Sequence, residues 1–355
     1  MSSNKTVFVG MSGGVDSSVA AMLLVEQGYH VIGVYMKNWS RDLPGMKCPW
    51  AEDLADAKRV AVKLGIDFLV WDFEDAYRQK VVEYMLAEFR AGNTPNPDIM
   101  CNQEIKFKLF YQKAMKAGAD YIATGHYARV NRDDPSHPIL QRAIDENKDQ
   151  TYFLYRISQE ALEHTLFPIG EMLKPEVKKL AAENGLHNAY KKESMGVCFV
   201  GEVGMKDFLK EYIDIKPGEI REAETEKVLG YHEGVVFYTI GQRHGLYLDG
   251  EKGVVNDGLP YYVVKKDIEQ NIVYVSKNLN HNQLWCKELK LSDIFWRTKH
   301  QSAQVMVRLR HRAPLVPATI KDSSLVFENE IKRPASGQSA VLYDGESCLG
   351  GGIIA

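Results

Sequence analysis

The sequence predicts an α/β fold: a doubly wound parallel sheet forms the first domain, followed by a small β domain and a C-terminal β-barrel. In the first 125 residues, short apolar segments alternate with amphipathic ones that stop at glycine, as in parallel α/β domains. After Pro217, glycine and proline become frequent and alternating polarity replaces the helical pattern, which is typical of antiparallel hairpins. A chain of 355 residues also exceeds what one core usually fills. We place the domains at 1–207, 208–278 and 279–355.

The elements of the first domain follow from apolar runs and glycines. The predicted strands are 6–9, 31–36, 66–73 and 121–124, and the predicted helices are 17–26, 51–64, 74–90 and 105–116. In a doubly wound sheet, ligands bind beyond the carboxyl ends of the strands. This rule places residues 10–17, 36–40 and 125–127 on one binding edge.

The α/β pattern fades after Ala143. One more helix is predicted at 175–184, followed by a loop-like stretch, K-K-E-S-M-G-V-C-F-V-G, at 191–201. Strands are then predicted at 260–265 and 271–276 in the central domain, and at 303–310, 316–321 and 339–343 in the barrel.

Composition narrows the class of protein. An apolar content of 45% and a formal net charge of -3 are ordinary for a globular protein and exclude a generally basic nucleic-acid coat. No apolar run reaches the roughly 18 residues of a membrane span, and the short polar start predicts no signal or transit peptide. We therefore expect a cytoplasmic protein with reduced cysteines. The absence of a C-x-x-C pair disfavours a zinc ribbon, and no metal-ligand set is predicted.

A glycine-rich stretch joins the first strand to the first helix. It consists of Gly10, Met11, Ser12, Gly13, Gly14, Val15, Asp16 and Ser17. Glycines let backbone N–H groups turn toward a phosphate, and the following helix adds its positive end. The stretch matches neither a Walker loop nor a dinucleotide fingerprint. From these features alone, a turn that merely joins strand to helix is equally favoured.

The segment S-G-G-V-D-S resembles the pyrophosphate-binding loop of the N-type ATP pyrophosphatases, the PP-loop family. This resemblance implies that ATP is split between its α and β phosphates, that a substrate oxygen is adenylated and that the loop holds the released pyrophosphate. It also implies Mg2+, held mainly by the phosphates.

Two of the five cysteines lie in Gly- or Pro-rich stretches. Cys101 ends T-P-N-P-D-I-M-C, and Cys198 lies in S-M-G-V-C-F-V-G. A lone cysteine is usually a small buried hydrophobe. We assign that role to Cys48, Cys286 and Cys348.

Several motifs together resemble the tRNA-specific 2-thiouridylases. They are N-P-D-x-x-C-N, M-G-V-C-F-V-G, T-G-H-Y, K-D-Q-T-Y-F-L, G-Q-R-H-G-L and the terminal G-Q-S-A-V-L-Y-x-G-E-x-C-L-G-G-G-I-I. The resemblance runs in order from the first strand to the last residues. It implies an ATP-dependent sulfurtransferase that adenylates the C2 oxygen of the wobble uridine of tRNA and replaces it with sulfur.

The resemblance also implies catalytic residues. Cys198 would carry a persulfide loaded by a sulfur donor protein. Cys101 would be the catalytic nucleophile, which attacks either the persulfide or the activated base and closes a transient disulfide with Cys198. Asp98 would be a general acid or base, although a turn carboxylate that caps the next helix is equally favoured by the sequence.

The remaining implied contacts concern ATP, the target base and the RNA. Met36 and Gly125 would contact the nucleotide; Asn96, Pro97, Asp98 and His126 would lie near the flipped base; Lys148, Asp149, Gln150, Arg310, His311 and Gln338 would contact the tRNA. Without the resemblance, His126 is more typical of a structural histidine at a strand end, and Lys148 to Gln150 of a polar turn. The loop 38–50 is assigned no role.

A stretch without acidic residues extends from Ile294 to Ile320. Alternation within it predicts that Arg308, Arg310 and Arg312 share one strand face, while Val307 and Leu309 point into the barrel core. We expect this basic strip to lie on the tRNA backbone; the alternative is an ordinary solvated face.

Two other functions are compatible with parts of the sequence. One is another PP-loop adenylating enzyme that acts on a small molecule. The cysteine pair and the lack of a glutaminase segment argue against this function. The other is a non-catalytic nucleotide- and RNA-binding protein, which the intact glycine-rich loop disfavours. No oligomeric state is predicted.

Overall fold

The computed structural model describes residues 5–42, 48–192, 204–246, 248, 259–297 and 302–355. None of the helices in these ranges has both the length and the apolar character that a membrane crossing requires.

A five-stranded parallel sheet organises the first domain, in the order β3-β2-β1-β4-β7. Its strands are β1 (Thr6–Gly10), β2 (His30–Lys37), β3 (Asp67–Asp72), β4 (Tyr121–Thr124) and β7 (Thr165–Leu166). The side chains of β1 alternate between two cores, since Val7 and Val9 pack on one face of the sheet and Phe8 on the other. Because β1 pairs with β2 on one side and β4 on the other, the strand order reverses at the end of β1, where α/β sheets bind ligands.

Helices cover both faces of this sheet. They are α1 (Val15–Glu26), α2 (Trp50–Leu64), α3 (the continuous segments Glu74–Tyr77, Arg78–Val82 and Glu83–Arg90), α4 (Pro97–Met100, Cys101–Phe110 and Tyr111–Lys116), α5 (Thr151–Leu154), α6 (Gln159–Glu163), α7 (Lys174–Glu183) and α8 (Met205–Tyr212). The helix predicted at 105–116 therefore begins earlier, at Pro97. Asn96 caps it, because its Oδ1 accepts a hydrogen bond of 3.2 Å from the backbone N–H of Asp98, and proline suits the first helical position. Asp98 is thus a first-turn residue and not the cap.

A short hairpin of the first domain, β5 (Arg129–Asn131) and β6 (Ile139–Gln141), was not predicted. It extends the sheet of the C-terminal barrel, where Gln141 pairs with Ser347. Three-residue strands carry too little alternation to be recognised in a sequence.

The central domain contains a four-stranded sheet in the order β10-β11-β8-β9. The strands are β8 (Gly218–Glu222), β9 (Val228–His232), β10 (Tyr262–Asp267) and β11 (Ile272–Ser276). Lys266 connects this sheet to the first domain by donating a hydrogen bond of 2.6 Å to the carbonyl of Gly92, just after α3. Burial lowers the pKa of Lys266 to about 8.

The C-terminal domain is a closed six-stranded antiparallel barrel, because its first strand also pairs with its last. The strands are β12 (Trp285–Trp296), β13 (Gln304–Arg308), β14 (Val316–Lys321), β15 (Ser324–Lys332), β16 (Ser339–Asp344) and β17 (Ser347–Ile354). As predicted, Val307 is buried in the barrel core and Leu309 packs against it.

The prediction that Arg308 belongs to an exposed basic strip is wrong. Strand β13 ends at this residue, which is 5% exposed and forms an ion pair of 2.6 Å with Asp149 of the first domain. Arg310 and Arg312 follow in an exposed turn, where Arg312 has a φ of 63°. The outward face of β13 is covered because the first domain, and not solvent, packs on it.

Candidate functional site

A cavity of about 270 Å³ lies at the carboxyl ends of β1, β2 and β4. The predicted residues that line it are Gly10, Met11, Ser12, Asp16, Ser17, Met36, Gly125, His126 and Gln150. It occupies the edge where the strand order reverses, as the sequence predicts for a ligand site. Gly13, Gly14 and Val15 are not among its lining residues, although they belong to the loop that borders it.

The glycine-rich loop needs glycine at position 13. Gly13 has a φ of +77°, and an added Cβ would lie 2.3 Å from the carbonyl oxygen of Asp53. Gly14 precedes α1, and its carbonyl accepts hydrogen bonds of 3.1 Å from Ser17 Oγ and 2.9 Å from Ser18 Oγ. The steric limit at Gly13 and the serine hydrogen bonds to Gly14 therefore hold the loop in this shape.

The β4 edge closes tightly on this loop at Gly125. A Cβ there would lie 2.5 Å from the backbone nitrogen of Ser17, so only glycine allows the two segments to approach this closely. The contact places His126 beside the start of α1.

Two supporting residues were missed from the sequence. Lys174, only 6% exposed, places its Nζ 2.6 Å and 2.8 Å from the carboxylate oxygens of Asp16, to which Tyr127 also donates a hydrogen bond of 3.2 Å. Asn188 donates a hydrogen bond of 2.9 Å to the carbonyl of Gly13. One signal was available: Lys174 is the first residue of α7, where the helix dipole disfavours a cation unless it has an acidic partner.

The loop 38–50, to which the sequence assigned no role, contributes to the cavity wall. Its described lining residues are Asn38, Trp39, Cys48, Pro49 and Trp50. Two indole rings give this side of the cavity flat apolar surfaces suited to a base or an adenine ring. Burial raises the pKa of the Cys48 thiol, which fits the structural role predicted for it.

His126 faces Lys106, a further residue that the sequence did not single out. Lys106 Nζ lies 3.4 Å from His126 Nε2, and Thr124 Oγ1 lies 2.8 Å from Nδ1. An ammonium can only donate, so Nε2 accepts and the imidazole is neutral. Burial, together with the nearby Lys106 charge, holds the pKa of His126 well below its ordinary value.

Helix α4 carries both Asp98 and Cys101 one turn apart. Burial raises the pKa of Asp98, and the charge of Lys106 on the same helix opposes this shift. Cys101 is 4% exposed, and the next residue, Asn102, donates a hydrogen bond of 3.0 Å to the carbonyl of Phe153. Neither Asp98 nor Cys101 lines the cavity, and Cys198 lies outside the described residues.

The residues predicted to contact RNA occupy different environments. Asp149 is 1% exposed, and its carboxylate accepts hydrogen bonds from Thr151 and Arg308, so this side chain joins the domains and does not face solvent. Lys148 is partly exposed. Gln150 accepts a hydrogen bond of 2.9 Å from the backbone N–H of Tyr127.

The barrel residues of this set lie near the first domain. The ring of His311 is 4.5 Å from that of Phe153, and burial lowers the pKa of His311 to about 4. Gln338 donates a hydrogen bond of 2.6 Å to the carbonyl of Thr94, in the segment that leads to Asn96 and Pro97. The barrel is therefore in contact with the segment that precedes Asp98.

The described residues contain no group of three or more His, Cys, Asp or Glu side chains that could hold a metal ion.

A glycine-rich loop at the switch point of a parallel sheet is typical of nucleotide-binding α/β domains. Three family models match consecutive parts of the chain: the tRNA methyl transferase HUP domain at residues 5–202, the tRNA methyl transferase PRC-barrel domain at 206–277 and the aminomethyltransferase beta-barrel domain at 285–354. Three tRNA-specific 2-thiouridylases are 45–46% identical to this chain over 99% of its length, and the chain belongs to their family.

The relatives that support this assignment match nearly end to end. The tRNA-specific 2-thiouridylase MnmA of Idiomarina loihiensis is 46% identical over 99% of this chain and 96% of its own length. That of Levilactobacillus brevis is 45% identical and that of Streptococcus agalactiae 46% identical, each over 99% of this chain and 96% and 95% of their own lengths.

Solved structures are much less similar. A 4-thiouridine synthetase in complex with RNA and ATP shares 18% identity over 53% of this chain and 43% of that chain, with a TM-score of 0.35. The NMN synthetase of Francisella tularensis shares 17% over 56% of this chain and 68% of that chain, with a TM-score of 0.34.

Proposed function

We propose that the protein uses ATP to convert the wobble uridine of tRNA to 2-thiouridine. The observation that carries this proposal is the cavity at the end of β1, where the glycine-rich loop meets His126 and Lys106. The 2-thiouridylase relatives are similar along the whole chain and support the main interpretation over adenylation of a small molecule.

The loop fits the phosphates of ATP. Its conformation is fixed by Gly13 and by the serine hydrogen bonds to Gly14, and the N-terminal end of α1 points at the cavity. ATP supplies the adenylyl group: the uridine O2 bonds to the α phosphorus as pyrophosphate leaves. Backbone N–H groups of the loop stabilise the charge that develops on the leaving group. We expect Mg2+ to be held mainly by the phosphates, because Asp16, a carboxylate of the cavity wall, already contacts Lys174.

The sulfur step uses the two cysteines. The terminal sulfur of a persulfide on Cys198 bonds to C2 of the base, and AMP leaves with the former uridine oxygen. The thiolate of Cys101 then attacks Cys198 Sγ, the S–S bond of the persulfide breaks, and a Cys101–Cys198 disulfide forms. A cellular dithiol returns both residues to thiols. Alternatively, Cys101 attacks the persulfide first and releases sulfide, which then bonds to C2.

The side chains beside the cavity suit an uncharged nucleobase that must be activated for attack at C2. His126 is neutral and donates through Nδ1 to Thr124, while Lys106 places a positive charge next to it. A cation here favours negative charge that develops on the base during attack at C2. Burial raises the pKa of Asp98, which is the direction that suits a general acid.

Further elements of the proposal follow from this chemistry. The sulfur comes from a persulfide-carrying donor protein, and the catalytic disulfide requires a reducing compartment, so the protein acts in the cytoplasm.

The test is direct. The purified protein is incubated with ATP, Mg2+, a persulfide-loaded donor protein, a dithiol and unmodified tRNA, and the digested nucleosides are separated to detect 2-thiouridine. Cys101→Ala should form adenylate without product, whereas Cys286→Ala, at a similarly buried cysteine in the barrel core, should behave as wild type. Absence of 2-thiouridine with the wild-type protein would reject the proposed function.

A further inference from the structure

A loop of the central domain, residues 239–245, lies against the segment that leads to Asp98. Thr239 Oγ1 is 3.3 Å from Thr94 Oγ1, and Thr94 also receives the hydrogen bond from Gln338 of the barrel. The three domains therefore meet at Thr94, four residues before Asp98 in the sequence. We call residues 239–245 the junction loop.

The junction loop has a defined shape. Gln242 accepts a hydrogen bond of 3.0 Å from the backbone N–H of Thr239 and donates one of 2.9 Å to the carbonyl of His244. Gly241 and Gly245 have φ angles of +83° and +75°, a conformation that glycine adopts without strain. The loop tip is thus held in place by its own backbone and by Gln242.

The tip presents positive charge to solvent. Arg243 and His244 are exposed, and within the described part of the chain neither forms an ion pair. Exposed Lys332 of the barrel is beside the loop, since a Cβ added at Gly241 would lie 3.4 Å from its Cε and 4.0 Å from its Nζ. In the described part of the chain, neither Arg243 nor Lys332 has an acidic partner, so these two exposed cations favour an anionic partner.

We propose that Arg243 and Lys332 together contact the sugar–phosphate backbone of the substrate RNA next to the target nucleotide. This inference rests on the proposed function and extends it to a surface of the central domain. An RNA whose target base reaches the Asp98 segment must pass the three-domain junction. The phosphates of the RNA would then be the anions nearest to Arg243 and Lys332. Arg243 belongs to the central domain and Lys332 to the barrel, and the two domains are in contact at Gly241. Arginine and lysine side chains are the usual partners of phosphate oxygens.

The experiment measures tRNA binding as a function of salt for the wild type and for Arg243→Ala, Lys332→Ala and the double variant. Lys321→Ala is the matched control, because it removes an exposed lysine from the other end of the same β14–β15 sheet, where Lys321 pairs with Ser324. Each removed phosphate contact should lower the slope of log Kd against log salt by about 0.7 to 0.9. The double variant should bind about tenfold more weakly at moderate salt, a typical loss for charge-assisted contacts.

Two companion measurements make the result decisive. Nucleotide binding should stay unchanged in all variants, which shows that the first domain is intact. Arg243→Lys should recover part of the affinity, because the charge is kept.

The outcomes separate this inference from the proposed function. If the wild type forms no 2-thiouridine, the function itself is rejected. If the wild type is active and the double variant binds tRNA with the same affinity and salt slope, or no more weakly than Lys321→Ala, the assignment of this surface is overturned. It is also overturned if the variants use sulfide normally and lose activity only with a persulfide-loaded donor protein, since the surface would then bind that protein.

Discussion

The buried ion pair between Arg308 and Asp149 should stabilise the contact between the barrel and the first domain. The two side chains are 6% and 0% exposed, and Arg308 Nη1 lies 2.6 Å from Asp149 Oδ2. Removing one partner of a buried pair typically costs about 3–5 kcal/mol, because the other charge stays away from water.

The structure indicates which partner costs more to remove. Without Arg308, the carboxylate of Asp149 keeps hydrogen bonds from Thr151 and has Arg142 Nε at 3.6 Å, so Arg308→Met should cost about 3 kcal/mol, near the lower limit. Without Asp149, the guanidinium of Arg308 loses its carboxylate partner while its buried Nε already lacks one, so Asp149→Asn should cost about 5 kcal/mol. The double variant should cost no more than Asp149→Asn, because the coupling between the two charges is then absent.

Hydrogen exchange measures this effect at the contact itself. A loss of about 3 kcal/mol corresponds to roughly a hundredfold faster exchange of amides that open with the contact, in residues 148–154 and in β13. Arg310→Met is the control, because Arg310 is exposed two residues farther along and should change stability by less than about 0.5 kcal/mol. If Arg308→Met and Arg310→Met show the same exchange, or if the single-variant costs simply add, the ion pair does not stabilise the contact.

Four further predictions concern the site. Asp16→Ala and Ser17→Ala should abolish pyrophosphate release while circular dichroism stays native, and Lys174→Met should reduce the release strongly because Asp16 loses its buried partner; wild-type release in these variants would contradict the role given to the loop. Cys101→Ser should eliminate thiolation yet retain adenylation, since only the second step needs sulfur, and full thiolation would disprove the paired-cysteine mechanism. Burial lowers the pKa of His311 to about 4 from the ordinary 6.5, so the unfolded chain binds a proton at a higher pH than the folded chain does. The free energy of unfolding should therefore decrease as the pH falls from 6.5 to 4. Urea titrations should show a smaller decrease for His311→Gln than for the wild type. Arg310→Ala with Arg312→Ala should weaken tRNA binding and flatten its salt dependence without changing ATP binding, and unchanged tRNA binding would leave them an ordinary solvated face.

Local patterns were sufficient for the main strands and helices of the first domain and for the binding edge. Strands β1, β2 and β4 and helices α1 and α2 lie within a few residues of their predicted positions. Each contains an apolar or amphipathic run and has a glycine near at least one end, so neighbouring residues carry the information. The glycine-rich stretch could be singled out for the same reason, because its residues are consecutive, but its assignment to phosphate came from the family resemblance.

Contacts between distant segments could not be predicted from local sequence patterns. Lys174 reaches Asp16 from 158 residues away, and Arg308 reaches Asp149 from 159 residues away. A strand's alternation shows that one face is apolar and the other is polar, but it does not show what covers the polar face. The same pattern therefore predicted a solvent-exposed strip at Arg308, whereas the tertiary structure turned that face toward a buried carboxylate of another domain. Burial depends on which surfaces meet after folding, and only the folded chain brings those surfaces together.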